Sequence, residues 1–347
     1  MIKRLINPLS SASDRKLTAK QTFDVVGIGN AIVDVVARAE DETLRRSGLT
    51  KGSMALIDAA QAERGYAAMG PAVESSGGSA ANTIAALASL GDRCGFIGKI
   101  ADDQLGQVFS HDIRSLDVSF ETPPSRNAAP TARCLILVTP DAQRTMQTYL
   151  GACIELGPDD VDPNVIGAAR VTYLEGYLWD PPEAKKAFLK AIEIAHAAGQ
   201  KVALSLSDPF CVDRHRADFL NLVRKHVDIL FANEQEITSL YQADSFDAAL
   251  QAVRKDCRLA ALTRSAKGSV VVAGNETHAV DAEPVAHVVD TTGAGDAYAA
   301  GFLHGHLRGL GLAKAARVGS IAAAEVISHV GARPAVSLKA LVQSKLA

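Results

Sequence analysis

In the second half of the chain, short apolar runs alternate with longer segments of helical spacing, and this alternation restricts the fold more than any other feature. The apolar runs occupy 171–176, 201–206, 227–232 and 259–263, and helical patterns at 182–198, 216–225 and 234–241 separate them. Strand–helix–strand repeats are typical of parallel sheets with helices on both faces. Two apolar helices are predicted to follow, at 295–308 and 314–329. We therefore predict an α/β fold with a mostly parallel sheet.

The first half of the chain follows this rhythm less strictly. Strands are predicted at 23–29 and 94–100, and a helix at 79–90 that Gly91 ends. The segments 133–139 and 145–150 flank the turn signal Pro140-Asp141, which predicts a hairpin. We predict that insertions at 31–60 and 125–150 form a small separate sheet, that 22–347 form the core, and that 1–21 form a loose tail.

The charge balance excludes several classes of protein. The 347 residues include 36 Lys and Arg against 39 Asp and Glu, a formal net charge of -3, with no basic stripe that would indicate a nucleic-acid partner. No apolar stretch approaches the roughly 20 residues that span a bilayer, so no membrane partner is expected. Five widely spaced cysteines without a C-x-x-C pair favour a reducing compartment over disulfides or a zinc site. We expect a cytoplasmic protein.

The segment 288–302 carries the strongest chemical signal. A short apolar strand leads into Gly293-Ala294-Gly295-Asp296, and an apolar helix follows. Glycines let the backbone approach a ligand closely, and the free N–H groups of a first helical turn attract anions. An ionised Asp296 beside them can accept a proton from an attacking hydroxyl. A glycine-rich turn in which Asp296 merely favours the helix start explains the local pattern equally well.

A second segment, 76–83, has the sequence Ser-Gly-Gly-Ser-Ala-Ala-Asn-Thr. Gly77 and Gly78 permit close backbone approach, while Ser79 and Asn82 supply hydrogen bonds at a helix start. Because an amide both donates and accepts, Asn82 suits a vicinal diol. Ser79 as a plain N-cap of an alanine-rich helix is the locally favoured alternative.

Asn30 and Asp34 follow the first predicted strand. Open α/β sheets bind ligands beyond the carboxyl ends of their strands. A carboxylate at position 34 can hold two substrate hydroxyls there. A solvated loop aspartate is an equally good interpretation of Asp34 alone.

Asn233 and Glu236 directly follow the strand predicted at 227–232. Their spacing is that of a capping box, which is the favoured interpretation. The functional alternative places Glu236 near the water shell of Mg²⁺, an ion that takes few direct carboxylate ligands.

Two weaker candidates remain. The polar loop 262–268 follows a strand and is placed to contact a nucleotide, and Arg144 on the predicted hairpin can reach a phosphate. An exposed strand arginine is the slightly favoured alternative for Arg144. The P-loop pattern G-x-x-x-x-G-K-[ST] does not occur in the sequence.

The order of these segments resembles that of the ribokinase-like (PfkB) family of carbohydrate and nucleoside kinases. The resemblance extends from about residue 23 to 334. Residues 77–106 are similar to the family's N-terminal signature, 290–301 to its C-terminal signature, and 233–236 to its N-x-x-E motif. Segments 77–83, 144–152, 204–210 and 227–236 look most like the adenosine kinases within the family. The resemblance implies a Rossmann-like three-layer α/β/α core with a small β-sheet lid.

The resemblance also implies a role for each candidate residue. Asp296 is the general base, Gly293, Ala294 and Gly295 form the anion hole, and Arg144 assists them. The ribose is held by Asp34, Asn30, Gly78, Ser79 and Asn82. The nucleotide site is lined by Asn233, Thr263, Ser265, Gly268 and Ser320, although sugar kinases tend to carry Asn at position 320. Asn233 and Glu236 are implied for Mg²⁺ through water, and Asp290 and Thr292 for a monovalent cation such as K⁺.

These roles imply phosphorylation of the adenosine 5′-hydroxyl by ATP with Mg²⁺, giving AMP in purine salvage. A sugar kinase of ribokinase or fructokinase type is the alternative. A nucleoside-binding sensor without catalysis is disfavoured, because such a protein needs no base at Asp296. The expected partners are small-molecule substrates, and the chain is expected to be a monomer or a homodimer.

Overall fold

The computed structural model describes residues 23–127, 129–141 and 143–347. The tail expected at 1–21 lies outside the described residues. The strands are β1 (Phe23–Ile28), β2 (Ile32–Arg38), β3 (Met54–Leu56), β4 (Ala72–Gly77), β5 (Cys94–Ile97), β6 (Ala132–Val138), β7 (Arg144–Tyr149), β8 (Ala169–Glu175), β9 (Lys201–Ser205), β10 (Ile229–Asn233), β11 (Leu259–Thr263), β12 (Ser269–Ala273) and β13 (Glu276–Val280).

The helices differ in length and follow the strands closely along the chain. They are α1 (Asp41–Arg46), α2 (Ala59–Ala68), α3 (Ser79–Leu90), α4 (Gln104–Ser115), α5 (Pro163–Gly167), α6 (Pro182–Ala197), α7 (Pro209–Lys225), α8 (Glu234–Tyr241), α9 (Phe246–Asp256), α10 (Ala294–Leu307), α11 (Leu312–Val326) and α12 (Leu338–Leu346). Among the described residues, no helix is both long and apolar enough to cross a membrane.

The larger sheet has eight strands in the order β13-β12-β11-β10-β9-β8-β1-β5. The six from β11 to β5 are parallel, and β12 and β13 add an antiparallel edge. Its central strands are almost continuous apolar runs, as in β1, where every residue is buried. Such runs are expected where both faces of a sheet are covered.

Two separate apolar cores confirm that helices cover both faces. Val25 joins a core with Ile84 of α3 and Phe302 of α10, whereas the next residue, Val26, joins a core with Phe188 of α6 and Phe219 of α7. Adjacent strand residues point to opposite faces, so the two cores lie on opposite sides of the sheet. The predicted α/β class with a mostly parallel sheet is confirmed.

A second sheet of five strands has the order β3-β7-β6-β2-β4. The predicted hairpin is confirmed, because β6 and β7 are antiparallel neighbours with Ile136 opposite Met146. This sheet also contains β4, which lies outside the ranges 31–60 and 125–150 expected for it. Strand β4 pairs with β2 and leads directly into α3 at Gly78.

One predicted helix is longer than the pattern indicated. The prediction of 216–225 covers only the second part of α7, which begins at Pro209 after the side-chain cap Asp208. His215 has non-helical backbone angles inside the element, φ -123° and ψ 23°. The polar residues at 213–216 weaken the apolar pattern next to this kink, and the first part of the helix is therefore missed.

Candidate active site

The candidate site lies where strands of the large sheet end and two glycine-led helices begin. Neighbouring parallel strands end in register: Ile28 of β1 pairs with Leu174 of β8, and Asn233 of β10 pairs with Thr263 of β11. The residues after these strands therefore meet at one edge of the sheet, the usual ligand edge of an open α/β fold.

The turn before α10 is shaped by its glycines. Gly293 is the N-cap residue with φ 77°, and a Cβ there would lie 2.6 Å from the carbonyl oxygen of Ala332. A Cβ at Gly295 would instead have no described atom within 4 Å. The N–H of Ala294 donates to Thr291 at 3.3 Å, so it is already engaged. The open side of the turn lies at Gly295, at the N-terminus of a 14-residue helix.

Asp296 lies in the first turn of α10 and is bound by α3. Ser79 Oγ donates to its Oδ1 at 2.6 Å, and Asn82 Nδ2 donates to its Oδ2 at 3.3 Å. Burial raises the pKa of Asp296 to about 6, against the effect of these two hydrogen bonds. Asp296 is therefore mostly ionised at neutral pH, as expected, and becomes protonated below about pH 6.

Ser79 is not the N-cap of α3, and that alternative is wrong. The N-cap residue is Gly78, with φ 97° and no side-chain cap. A Cβ at Gly78 would overlap the carbonyl oxygen of Asn30, so the position requires glycine. Ser79 does not cap the helix, and its hydroxyl donates to Asp296 instead.

Asp34 lies on β2 opposite Ser75 and its carboxylate fills the space that a side chain at Gly77 would need. The interpretation as a solvated loop aspartate is therefore wrong. Burial raises the pKa of Asp34 to about 6, opposed by the positive charges of Arg333 and Arg144. Asp34 is thus a polar group of the second sheet that faces the site.

Arg144 is not the exposed strand arginine that the sequence slightly favoured. Its side chain is 10% exposed, pairs with Asp290 through Nη2 and donates to Thr292 Oγ1 at 3.0 Å. Asp290 also accepts from the N–H groups of Thr292 at 3.0 Å and of Gly331 at 2.8 Å. Since Arg144 occupies both side chains, this arrangement does not fit a monovalent cation held by Asp290 and Thr292.

The capping box of Asn233 and Glu236 is confirmed at the start of α8. Both oxygens of Glu236 accept from Asn233, from its backbone N–H at 2.9 Å and its Nδ2 at 2.6 Å, and Asn233 Oδ1 accepts from the Glu236 N–H at 2.8 Å. Burial raises the pKa of Glu236 to about 7. The carboxylate is therefore engaged by protein, which leaves only outer-sphere contact with a metal.

The other nucleotide-side candidates surround the loop after β11. Thr263 ends β11 beside Asn233, and Ser265 has φ 51°. Gly268 has φ 79°, and a Cβ there would overlap the carbonyl oxygen of Val280. The Ser320 hydroxyl accepts from the Glu283 N–H at 2.7 Å and donates to the carbonyl of Asp281 at 3.2 Å. Ser320 therefore holds the chain after β13 in place. Among the described residues, no group of three or more His, Cys, Asp or Glu forms a metal site.

Two residues at the site have no signal in the motifs. Glu175, the last residue of β8, accepts from Asn30 Nδ2 at 2.7 Å and from the Ala80 N–H at 2.8 Å. Arg333 donates through Nε to Asn82 Oδ1 at 3.3 Å. The sequence offers two weak signals for these residues: Glu175 is a lone acid at the end of an apolar strand, and Arg333 stands between Ala332 and Pro334. Neither signal identifies a partner.

Comparison with solved structures gives two close neighbours. An adenosine kinase from Sinorhizobium meliloti is 53% identical with a TM-score of 0.88, and the match covers 94% of this chain and 100% of that one. A probable sugar kinase from Rhizobium etli CFN 42 is 50% identical with the same TM-score and coverage.

A curated relative and a family model agree with these neighbours. The 5-dehydro-2-deoxygluconokinase of Shouchella clausii is 28% identical over 338 residues, which is 93% of this chain and 96% of that protein. The model of the pfkB family carbohydrate kinases matches residues 50–339. The chain is therefore a phosphotransferase that belongs to the pfkB family of carbohydrate kinases.

Proposed function

We propose that the protein is an adenosine kinase that transfers the γ-phosphoryl group of ATP to the 5′-hydroxyl of adenosine, giving AMP for purine salvage. The observation that carries the chemistry is Asp296, which is bound by Ser79 and Asn82 and lies in the helix turn that opens at Gly295. The adenosine assignment is supported by the similarity to the Sinorhizobium meliloti enzyme.

Asp296 acts as the general base in this proposal. Its ionised carboxylate accepts the proton of the 5′-hydroxyl as that oxygen attacks the γ-phosphorus. Ser79 and Asn82 fix the carboxylate, so its position does not depend on the substrate. The turn at Gly293–Gly295 binds the equatorial oxygens of the transferred group, where fixed donors stabilise the developing charge.

Asn30, Asp34, Gly78 and Asn82 are proposed to hold the ribose. Asp34 belongs to the second sheet and Asn82 to the core, so a bound diol joins the two parts. The second sheet is proposed to close over the substrate, which excludes water from the phosphoryl group. Arg144 extends from this sheet to Asp290, in the loop that precedes α10. We propose that it contacts the γ-phosphoryl group when the sheet closes.

Kinases of this family use ATP with Mg²⁺. The engaged carboxylate of Glu236 fits an outer-sphere role, because Mg²⁺ bound to phosphates keeps several waters. Bound there, the ion would neutralise phosphate charge. Asn233, Thr263, Ser265 and Gly268 are proposed to line the nucleotide site, with Ser320 supporting it.

A sugar kinase is the second candidate, favoured by the 50% identity to the probable sugar kinase of Rhizobium etli. The decisive experiment measures ADP release and product formation with adenosine, inosine, ribose and fructose. The proposal expects the highest kcat/KM with adenosine and AMP as its product. Phosphorylation of a sugar without phosphorylation of adenosine would contradict it and establish the alternative.

A further inference from the structure

The guanidinium group of Arg333 lies beside the candidate site with hydrogen-bonding capacity that the protein does not use. Its Nε donates to Asn82 Oδ1 at 3.3 Å, and its Nη1 lies 3.5 Å from Asp112 Oδ2. Nη1 and Nη2 are buried, and neither has a hydrogen-bond acceptor among the described residues. Buried donors without acceptors are costly, so a ligand atom is the natural partner for them.

The loop that carries Arg333 is fastened to the phosphate-binding turn. The Gly331 N–H donates to Asp290 Oδ2 at 2.8 Å, and the backbone of Ala332 packs against Gly293. Asp112 in turn accepts from the N–H of Ser76 at 2.8 Å and from its hydroxyl. Arg333 is therefore held between the α10 turn, α3, α4 and the end of β4.

The charges around Arg333 indicate which kind of ligand it takes. Asp34 faces its positive charge, Asp112 lies near Nη1, and Asn82 connects it to Asp296. The other nearby cation, Arg144, is paired with Asp290. Carboxylates therefore outnumber unpaired cations here, and a negatively charged group on the phosphate acceptor would be repelled. A neutral hydroxyl satisfies both sides, because it donates to Asp34 and accepts from Arg333.

We propose that Arg333 is a specificity-determining residue whose free terminal N–H groups donate to a ribose hydroxyl that Asp34 also binds. The proposal rests on the proposed function and adds a substrate class to it. The preferred acceptor is a neutral diol such as a ribonucleoside. Sugar acids and sugar phosphates, which bring a second negative charge to the same place, are poor substrates.

The test compares Arg333→Met with the wild type on adenosine, 2′-deoxyadenosine and 3′-deoxyadenosine. The Met variant should lose about 10- to 100-fold in kcat/KM with adenosine, the range for a hydrogen bond from a charged donor. With the analogue that lacks the contacted hydroxyl, the loss should be several-fold smaller. The ratio between substrates is independent of the folded fraction, so partial unfolding does not affect it.

Arg333→Lys is the second variant, since it keeps the charge but lacks the planar fork. It should recover only part of the adenosine activity. Arg308→Met is the matched control, because Arg308 is an exposed arginine that pairs with Asp92 and lies outside the site. Its discrimination between the three nucleosides should equal that of the wild type.

Equal losses with all three nucleosides in Arg333→Met would overturn the proposal and leave Arg333 a structural residue. Failure of the proposed function is distinguishable, because the wild type would then not phosphorylate adenosine. If it phosphorylates a sugar instead, the same comparison with the deoxy forms of that sugar tests Arg333. Efficient phosphorylation of a sugar acid by the wild type would contradict the preference for neutral diols.

Discussion

Among single residues, the site is a group of buried and half-buried carboxylates. Burial raises the pKa of Asp34 and Asp296 to about 6 and of Glu175 and Glu236 to about 7. Burying such groups is unfavourable unless hydrogen bonds compensate. Such perturbed groups cluster at functional sites.

The pH dependence of activity follows from Asp296. Since its raised pKa leaves it protonated below about 6 and ionised above, kcat/KM for the phosphate acceptor should rise with pH through an apparent pKa near 6 and then level off. Asp34 has a similar pKa and is coupled to it, so the measured value belongs to the pair. Asp244→Asn, at an exposed position, should leave the profile unchanged, and a flat profile between pH 5 and 8 would contradict the assignment.

The pH dependence of stability follows from Glu175. Because its pKa is raised to about 7, the folded protein binds this proton more tightly than the unfolded chain, and the stability from this group falls as pH rises from about 4.5 through 7. In Glu175→Gln this dependence is absent. Denaturant titrations should show that the variant gains about 2 kcal/mol relative to the wild type between pH 5 and pH 8. A constant difference across this range would show that Glu175 does not titrate as described.

Among the secondary-structure elements, the start of α10 differs from the starts of α4, α7, α8 and α9. Helices α4, α7, α8 and α9 have side-chain caps, whereas α10 begins at Gly293 without one. Helix α3 also lacks a local cap, but distant Glu175 accepts its Ala80 N–H. The start of α10 is therefore left open for an anion.

Two glycine substitutions separate the shape of this turn from its function. Gly293→Ala should lower the free energy of unfolding by about 1–2 kcal/mol, because φ is 77° and the new Cβ meets Ala332. Gly295→Ala should stay within about 0.5 kcal/mol of the wild type, because its Cβ enters open space. Both should lose activity, since Gly293→Ala distorts the turn and the methyl of Gly295→Ala enters the side of it that is proposed to bind phosphate. Full activity of Gly295→Ala would show that the phosphoryl group does not bind at this side of the turn.

Much of the fold was predictable because its signals are local. The helix predicted at 79–90 matches α3, since an apolar helical pattern and the left-handed C-cap Gly91 mark its end. The side-chain partners were not predictable. Ser79 and Asp296 are 217 residues apart, and the choice between capping and contact for Ser79 depends on where α10 lies. Arg333 and Glu175 were missed for the same reason.

At the scale of the whole molecule, the two sheets meet at the site. Arg144 of the second sheet binds Asp290 of the α10 loop, and Asp34 of β2 faces Arg333. The second sheet was predictable in outline from its hairpin. The inclusion of β4 was not, because its sequence Ala-Val-Glu-Ser-Ser-Gly has only weak strand character.

Loss of the contact between the sheets should affect the coupling of ATP use to product. In Arg144→Gln the pair with Asp290 and the proposed contact with the γ-phosphoryl group are both lost, so closure should be less complete and water should reach the phosphoryl group more often. We expect a lower kcat and more ADP released per molecule of phosphorylated acceptor. Arg38→Gln, an exposed change on the same sheet, should keep the wild-type ratio. An unchanged ratio in Arg144→Gln would argue against a closing role.

Asp296 is the proposed base for phosphoryl transfer to adenosine. The most direct measurement compares AMP formation from adenosine and ATP with Mg²⁺ in the wild type and in Asp296→Asn, together with the Kd for adenosine. We expect kcat to fall about 10²–10⁴-fold, the usual contribution of general-base catalysis, while Kd changes little. AMP formation at the wild-type rate in Asp296→Asn would contradict this proposal.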